Sequence, residues 1–201
     1  MAPRAPHIGL IGKARSGKDT AAQRMIQTSA YTRLAFADPL KEALLRLNPY
    51  IPMNHLNTNS HLRTVVECLG WDRAKEEYTE VRRLLQNYGQ TIRELDPEFW
   101  VRELSRKVAT AHAWNMPVVV TDVRYWNEAE ALQRAGFYMV QVVRPDNPGI
   151  GEAGNHTSET ELDDWVPDLI LRNFGTVETF QRNVDILLQV ASARYSREPR
   201  S

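Results

Sequence analysis

The chain has 201 residues, 42% of them hydrophobic and 25% charged, which is enough apolar material for one sizeable core and too evenly mixed for a disordered or fibrous protein. Its 25 Lys and Arg balance 25 Asp and Glu, so there is no global basic excess with which to grip long nucleic acid. The single cysteine, Cys68, excludes an intramolecular disulfide framework and a Cys-rich metal site. No run approaches the roughly 20 apolar residues that cross a bilayer, so no membrane segment and a cytoplasmic location are expected.

Residues 7–11 (HIGLI) form a short apolar run between Pro6 and Gly12 and read as a buried strand. A helix is expected over 18–28, and residues 31–37 (YTRLAFA) alternate like a second strand. Asp38-Pro39 then reads as an N-cap followed by Pro at the first helical position. Residues 49–62 carry Pro, Asn and Ser without a clear period and are expected to be a loop. Over 79–95 the residues Val81, Leu84, Leu85, Tyr88, Ile92 and Leu95 recur at helical spacing, and Asp96-Pro97 closes that helix while opening the next.

Residues 117–122 (PVVVTD) are a continuous β-branched run, the pattern of a central parallel strand buried on both faces. A helix ended by Gly136, a strand over 137–143, a glycine- and proline-rich connection from 144, a strand over 168–173 and a last helix over 177–195 complete the chain. Strands alternating with helices predict an α/β three-layer domain around a mostly parallel sheet. The helical tract interrupts that alternation, so a single domain with a helical insertion at about 50–115 and a lid at about 144–160 is expected.

The first strand runs into GKARSGKD, residues 12–19, which fits G-x-x-x-x-G-K-[ST] through Gly12, Gly17 and Lys18 but has Asp19 in place of the hydroxyl residue. Glycines permit the tight turns that aim successive N–H groups at phosphate oxygens, and the following helix places its positive dipole end there. The loop residues Gly12, Lys13, Ala14, Arg15, Ser16, Gly17, Lys18, Asp19 and Thr20 are therefore the candidate nucleotide phosphate site. No N-K-x-D segment of a GTPase is present. The central strand ends in Thr121-Asp122-Val123-Arg124 rather than in the paired carboxylates of a motor ATPase, which suits transfer to a bound acceptor better than activation of water.

Together GKARSGKDT, FADPLKEAL, LLQNYGQTIRELDPEFWV, VVVTDVRYWNEAEAL and HTSETEL followed by DLILRNFGTVETF resemble the deoxynucleoside monophosphate kinases of bacteriophages, a branch of the P-loop kinases, over about residues 7–190. That resemblance implies a P-loop kinase fold. It also implies transfer of the γ-phosphoryl of ATP, with Mg2+, to a dNMP, and it suggests a homodimer. An Asp after the loop lysine is usual in the family, so Asp19 is no damage to the motif; it serves either magnesium through water or the acceptor phosphate.

On this reading Lys18, Arg15, Asp19, Arg124 and Arg144 are the candidate catalytic residues, and Asp19 and Asp122 the candidate magnesium residues. Arg82, Gln86, Gln90 and Arg93 fall four, four and three residues apart on one helix face, where guanidinium groups suit a phosphate and amides a base edge. Asp38, Asp122, Arg124, His156, Ser158 and Glu159 join them as candidate dNMP contacts. Arg144 opens the mobile stretch and suits a closing lid. Two other readings are another small-molecule P-loop kinase and a slow nucleotide-hydrolysing switch.

Overall fold

The computed structural model describes residues 5–53, 58–145 and 160–195. In chain order the elements are β1 (Ile8–Ile11), α1 (Lys18–Ser29), β2 (Thr32–Leu34), α2 (Ala37–Leu47), β3 (Tyr50–Met53), β4 (Thr58–His61) and α3 (Leu62–Glu77). They continue with α4 (Thr79–Leu95), α5 (Phe99–Ala113), β5 (Val118–Val123), α6 (Trp126–Arg134), β6 (Tyr138–Val143), β7 (Leu169–Arg172) and α7 (Val177–Tyr195). Five strands form a parallel sheet in the order β2-β5-β1-β6-β7. No helix among the described residues is long and apolar enough to cross a membrane.

The chain divides into two compact units, Met1–Ala35 with Leu104–Ser201, and Phe36–Glu103. The first holds the parallel sheet. Side chains alternate across a strand, so Ile8 and Leu10 of β1 face one way, packing with Ala21, Ala22 and Met25 of α1 and with Phe180, Val184 and Leu187 of α7. Gly9 faces the other way, where a Cβ would stand 2.7 Å from Met139 Sδ and 3.3 Å from Leu132 of α6. Helices thus cover both faces, giving the expected three-layer α/β fold. Burial on both faces marks the 118–123 run as interior, but the centre of the sheet is β1, which lies between β5 and β6.

The second unit packs around Leu44, Ile51, Leu62, Val65, Ala74 and Val81. Helix α4 occupies the expected 79–95, with Leu84, Leu85 and Tyr88 against that cluster, and Trp100 is buried with its indole N–H donating to the Gly89 carbonyl at 3.2 Å. Asp96 links α4 to α5 by accepting from Glu98 N (3.2 Å) and pairing with Arg102. The Arg102 hydrogen bond holds the Asp96 carboxyl below its ordinary range.

Four expectations need correcting. Residues 49–62 are not a loop but contain β3 and β4, an antiparallel pair with Ile51 as the buried anchor. The polar face of TNSH hid it, since the pairing rests on backbone bonds and a Tyr50–His61 ring stack (4.3 Å) rather than apolar alternation. Helix α2 begins at Ala37 after buried Phe36, so Asp38 lies inside its first turn and is not the N-cap. Helix α3 starts at Leu62, earlier than the tract expected from 71, and is broken at Gly70 (φ 73). Leu95, counted in the apolar stripe, is exposed at the helix end.

Helices α1 and α7 are joined by a forked ion pair, Arg24 Nε to Asp185 Oδ1 at 2.9 Å and Nη2 to Oδ2 at 2.6 Å. The Arg24 hydrogen bonds lower the Asp185 pKa. The unfolded chain therefore takes up this proton first as the pH falls, so the pair's stabilisation is present above the ordinary Asp value of about 3.9 and is lost below it. Asp185→Asn is expected to lower Tm near neutrality yet to lose less Tm than wild type between about pH 5 and pH 3, measured by circular dichroism melts at stepped pH. Equal acid losses would show that the pair does not contribute in this way.

Candidate functional site: a phosphate loop at the carboxyl edge of the sheet

Between β1 and α1 the backbone doubles back through left-handed residues: Arg15 at φ 62 and Gly17 at φ 109, with Gly12 at φ 145 before them. A Cβ on Gly12 would collide with the Val142 carbonyl of β6, and one on Gly17 with Asn173 Nδ2 and, at 3.2 Å, Phe180 Cε1. The glycines are therefore required by close approach as well as by dihedral angle. The turn is held by Ser16 N donating to Lys13 O at 3.2 Å and by Asn173 Nδ2 donating to Ser16 O at 2.9 Å.

Lys18 is buried, its ammonium donating to the Gly12 carbonyl at 2.6 Å and the Lys13 carbonyl at 2.9 Å. The charge is thus held over the loop by two main-chain carbonyls, a position that suits a phosphate oxygen. Gly17 caps α1 without any side-chain bond, and Asp19 is the acidic residue in that helix's first turn. Ser16 Oγ is buried with no hydrogen-bond partner among the described residues, a polar atom that suits a ligand oxygen.

Sheet register brings further residues to this edge. Ile11 is level with Val123 of β5 and with Gln141 of β6, while Val143 is level with Arg172 of β7. Asp122 and Arg124 therefore flank the start of the loop on one side, and Arg144 follows on the other. Asn173 N donates to Val143 O at 2.8 Å, tying the ends of β6 and β7. From β1 the chain goes out to the edge strand β2, returns inward to β5 and then crosses to β6 and β7, so its direction switches beside β1, the place where open α/β sheets bind ligands.

A cavity of about 290 Å3 opens there, lined by Arg15, Gly17, Lys18, Asp19, Thr20 and Arg144 on the loop side and by Asn173, Gly175, Val177 and Phe180 beyond it. It gathers three of the predicted cations and the predicted Asp19 in one place. Four of its residues were not expected. Asn173 and Gly175 had a signal, since a polar residue and a glycine directly follow the last strand; Val177 and Phe180 read only as helix residues.

The acceptor-side candidates Asp38, Arg82, Gln86, Gln90 and Arg93 all belong to the second unit. On α4, Gln86 and Gln90 are exposed, whereas Arg82 and Arg93 are half-buried. Gln90 Nε2 donates to Glu94 at 3.1 Å. Arg83 is paired with Glu80 at 2.6 and 2.7 Å, and that bond keeps the Glu80 carboxyl below its ordinary range. His156, Ser158 and Glu159 lie outside the described residues.

The close approaches at Gly17 separate it from Gly136, which has a similarly positive φ of 78 but nothing within 4 Å of a Cβ. Gly136→Ala is expected to cost only the left-handed backbone term, about 1–2 kcal/mol, with nucleotide binding intact. Gly17→Ala is expected to cost more and to abolish binding of a fluorescent ATP analogue. Equal behaviour of the two variants would contradict the packing described for the loop.

A family model described as "Deoxynucleotide monophosphate kinase" matches residues 71–184. A protein of Acanthamoeba polyphaga mimivirus, named "Putative deoxynucleotide monophosphate kinase", is 29% identical over 190 residues, covering 88% of this chain and 93% of its own. "Uncharacterized protein ORF77" of Ictalurid herpesvirus 1 is 34% identical over 109 residues, covering 53% of this chain and 47% of its own. The dephospho-CoA kinase from Campylobacter jejuni superposes with a TM-score of 0.49 at 11% identity, over 94% of this chain and 98% of that one. Both sequence relatives come from viruses other than bacteriophages, so the likeness is wider than the phage enzymes named from the motifs. The glycine loop, its buried lysine and the family match covering more than half of the chain agree: this chain is a kinase of the deoxynucleotide monophosphate kinase family.

Proposed function

We propose that the protein transfers the γ-phosphoryl group of ATP to the 5′-phosphate of a deoxynucleoside monophosphate, giving ADP and the corresponding dNDP. The observation that carries this reading is the convergence of Arg15, Lys18 and Arg144 around one cavity at the phosphate loop, in a chain of this family. Two anions must be brought together for the reaction, and clustered cations offset their repulsion.

The residues fit the groups involved. Loop amides and Lys18 take the donor phosphates, in a turn too tight for any side chain at Gly12 or Gly17. Arg15 and Arg144 provide charge beside the transferring group, and Arg124 at the end of β5 acts from the neighbouring strand. Asp19 and Asp122 offer the hard oxygen ligands that magnesium prefers. No group of three or more potential ligands forms a metal cage among the described residues, in keeping with an ion held mainly by substrate phosphates and water. When bound, magnesium neutralises charge on the phosphates.

On the acceptor side, Arg82 and Arg93 grip the monophosphate, Gln86 and Gln90 read the base edge, and Asp38 with His156, Ser158 and Glu159 completes the set. The neighbouring Arg83 is paired with Glu80 on the same helix. The protein works on free nucleotides in the cytoplasm, as a homodimer, without long nucleic acid.

A coupled ADP-release assay with magnesium and ATP, run with dAMP, dCMP, dGMP or dTMP and their ribose counterparts, tests the reading. Turnover is expected to require a deoxynucleoside monophosphate, and Lys18→Ala is expected to lower kcat by roughly 10²-fold or more. Arg93→Met is expected to raise KM for the acceptor about tenfold or more, with KM for ATP little changed. ATP consumption independent of any acceptor would instead support a hydrolysing switch.

A further inference from the structure

Among the helices that begin at the carboxyl edge of the sheet, α1 and α6 have their first amides treated differently: Gly17 offers α1 no side chain. At the start of α6, three successive backbone amides are bound by side-chain carboxylates. Glu128 Oε2 accepts from Arg124 N at 3.0 Å and from Tyr125 N at 3.2 Å, and Glu161 Oε1 accepts from Trp126 N at 2.8 Å. Glu128, only 2% exposed, comes from the helix itself. Glu161 comes from a separate turn 35 residues along the chain.

That turn, residues 160–165, is anchored by buried Leu162 and Trp165, and Trp165 packs edge-on against Trp126 with ring centroids 4.9 Å apart. Its Asp163 pairs with Lys13 of the phosphate loop at 3.5 Å. The turn therefore touches both the loop and the β5–α6 junction, the latter through a main-chain amide two residues from Arg124. An exposed ion pair such as Lys13–Asp163 contributes little stability. A carboxylate bond to a helix-terminal amide fixes a backbone direction and is favoured by the helix dipole.

We propose that Glu161 is a positioning residue for phosphoryl transfer, holding the junction that carries Arg124 through the N–H of Trp126. The proposal rests on the kinase reading above. Phosphoryl transfer depends on placing charge at the transferring group, and small misplacements are expensive in rate. A loosened junction therefore weakens the interaction made in the transition state and leaves donor binding intact. The signature is a fall in kcat without a matching rise in KM for ATP.

Glu161→Ala in the full-length chain is expected to lower kcat about tenfold, with KM for ATP within about twofold and little change in Tm because the bond is at the surface. Glu161→Gln keeps an oxygen acceptor and is expected to stay within about threefold of wild type. A second route removes the donor. Trp126 is the first helical residue, where Pro is well tolerated, and Tyr125 before it has φ −117 and ψ 151, compatible with a following Pro. Trp126→Phe serves as the background that keeps the N–H. Glu161→Ala should impair the Trp126→Phe enzyme and add nothing to the Trp126→Pro enzyme.

Wild-type kcat in Glu161→Ala, an equal loss in Glu161→Gln, or an undiminished Glu161→Ala effect on top of Trp126→Pro would each overturn the proposal. Absence of acceptor-dependent turnover in the wild-type protein would instead overturn the kinase reading itself, so the two failures are distinguishable.

Discussion

The reversal of the backbone between β1 and α1 is the constraint on which the site depends. Two glycines admit it, one pressed against the Val142 carbonyl and the other against Asn173 and Phe180. The turn is thus locked by β6, by the residue after β7 and by α7, all from the far end of the chain. Its position at the switch point of the sheet then brings the ends of β5 and β6 to its two sides. Arg124 and Arg144 owe their places to parallel register, not to any local motif.

Charge at this edge is arranged by the same logic. Parallel strands point their carboxyl ends one way, so the helices that follow them start on the same side, and each start presents unsatisfied amides. The sequence settles which start is left for an anion. Gly17 gives α1 no side chain to cap with, whereas Glu128 and Glu161 occupy the amides that open α6. The open start of α1 suits an anion, and on the proposed reading α6 is the mount for Arg124, two residues before it.

Features carried by local pattern were legible in the sequence. Helix α4 was delimited at both ends, because a strong apolar period runs into Asp96-Pro97, and the phosphate loop followed from glycine spacing after an apolar strand. The β3–β4 pair was not legible, since it buries essentially one anchor and is otherwise polar. Asp38 misled because Asp-Pro is a good helix opening, yet Phe36 starts the turn two residues earlier. Asn173 supports Ser16 from 157 positions away, a contact with no period or spacing to reveal it. The Glu161 contact with Trp126 was hidden for the same reason.

The central claim is that phosphoryl moves to a nucleotide rather than to water. The most direct measurement follows γ-labelled ATP with magnesium and each dNMP, separating the labelled products by chromatography. The account predicts label in the terminal phosphate of a dNDP, in step with ADP formation. Label recovered as inorganic phosphate, at a rate unchanged by the monophosphate, would contradict it.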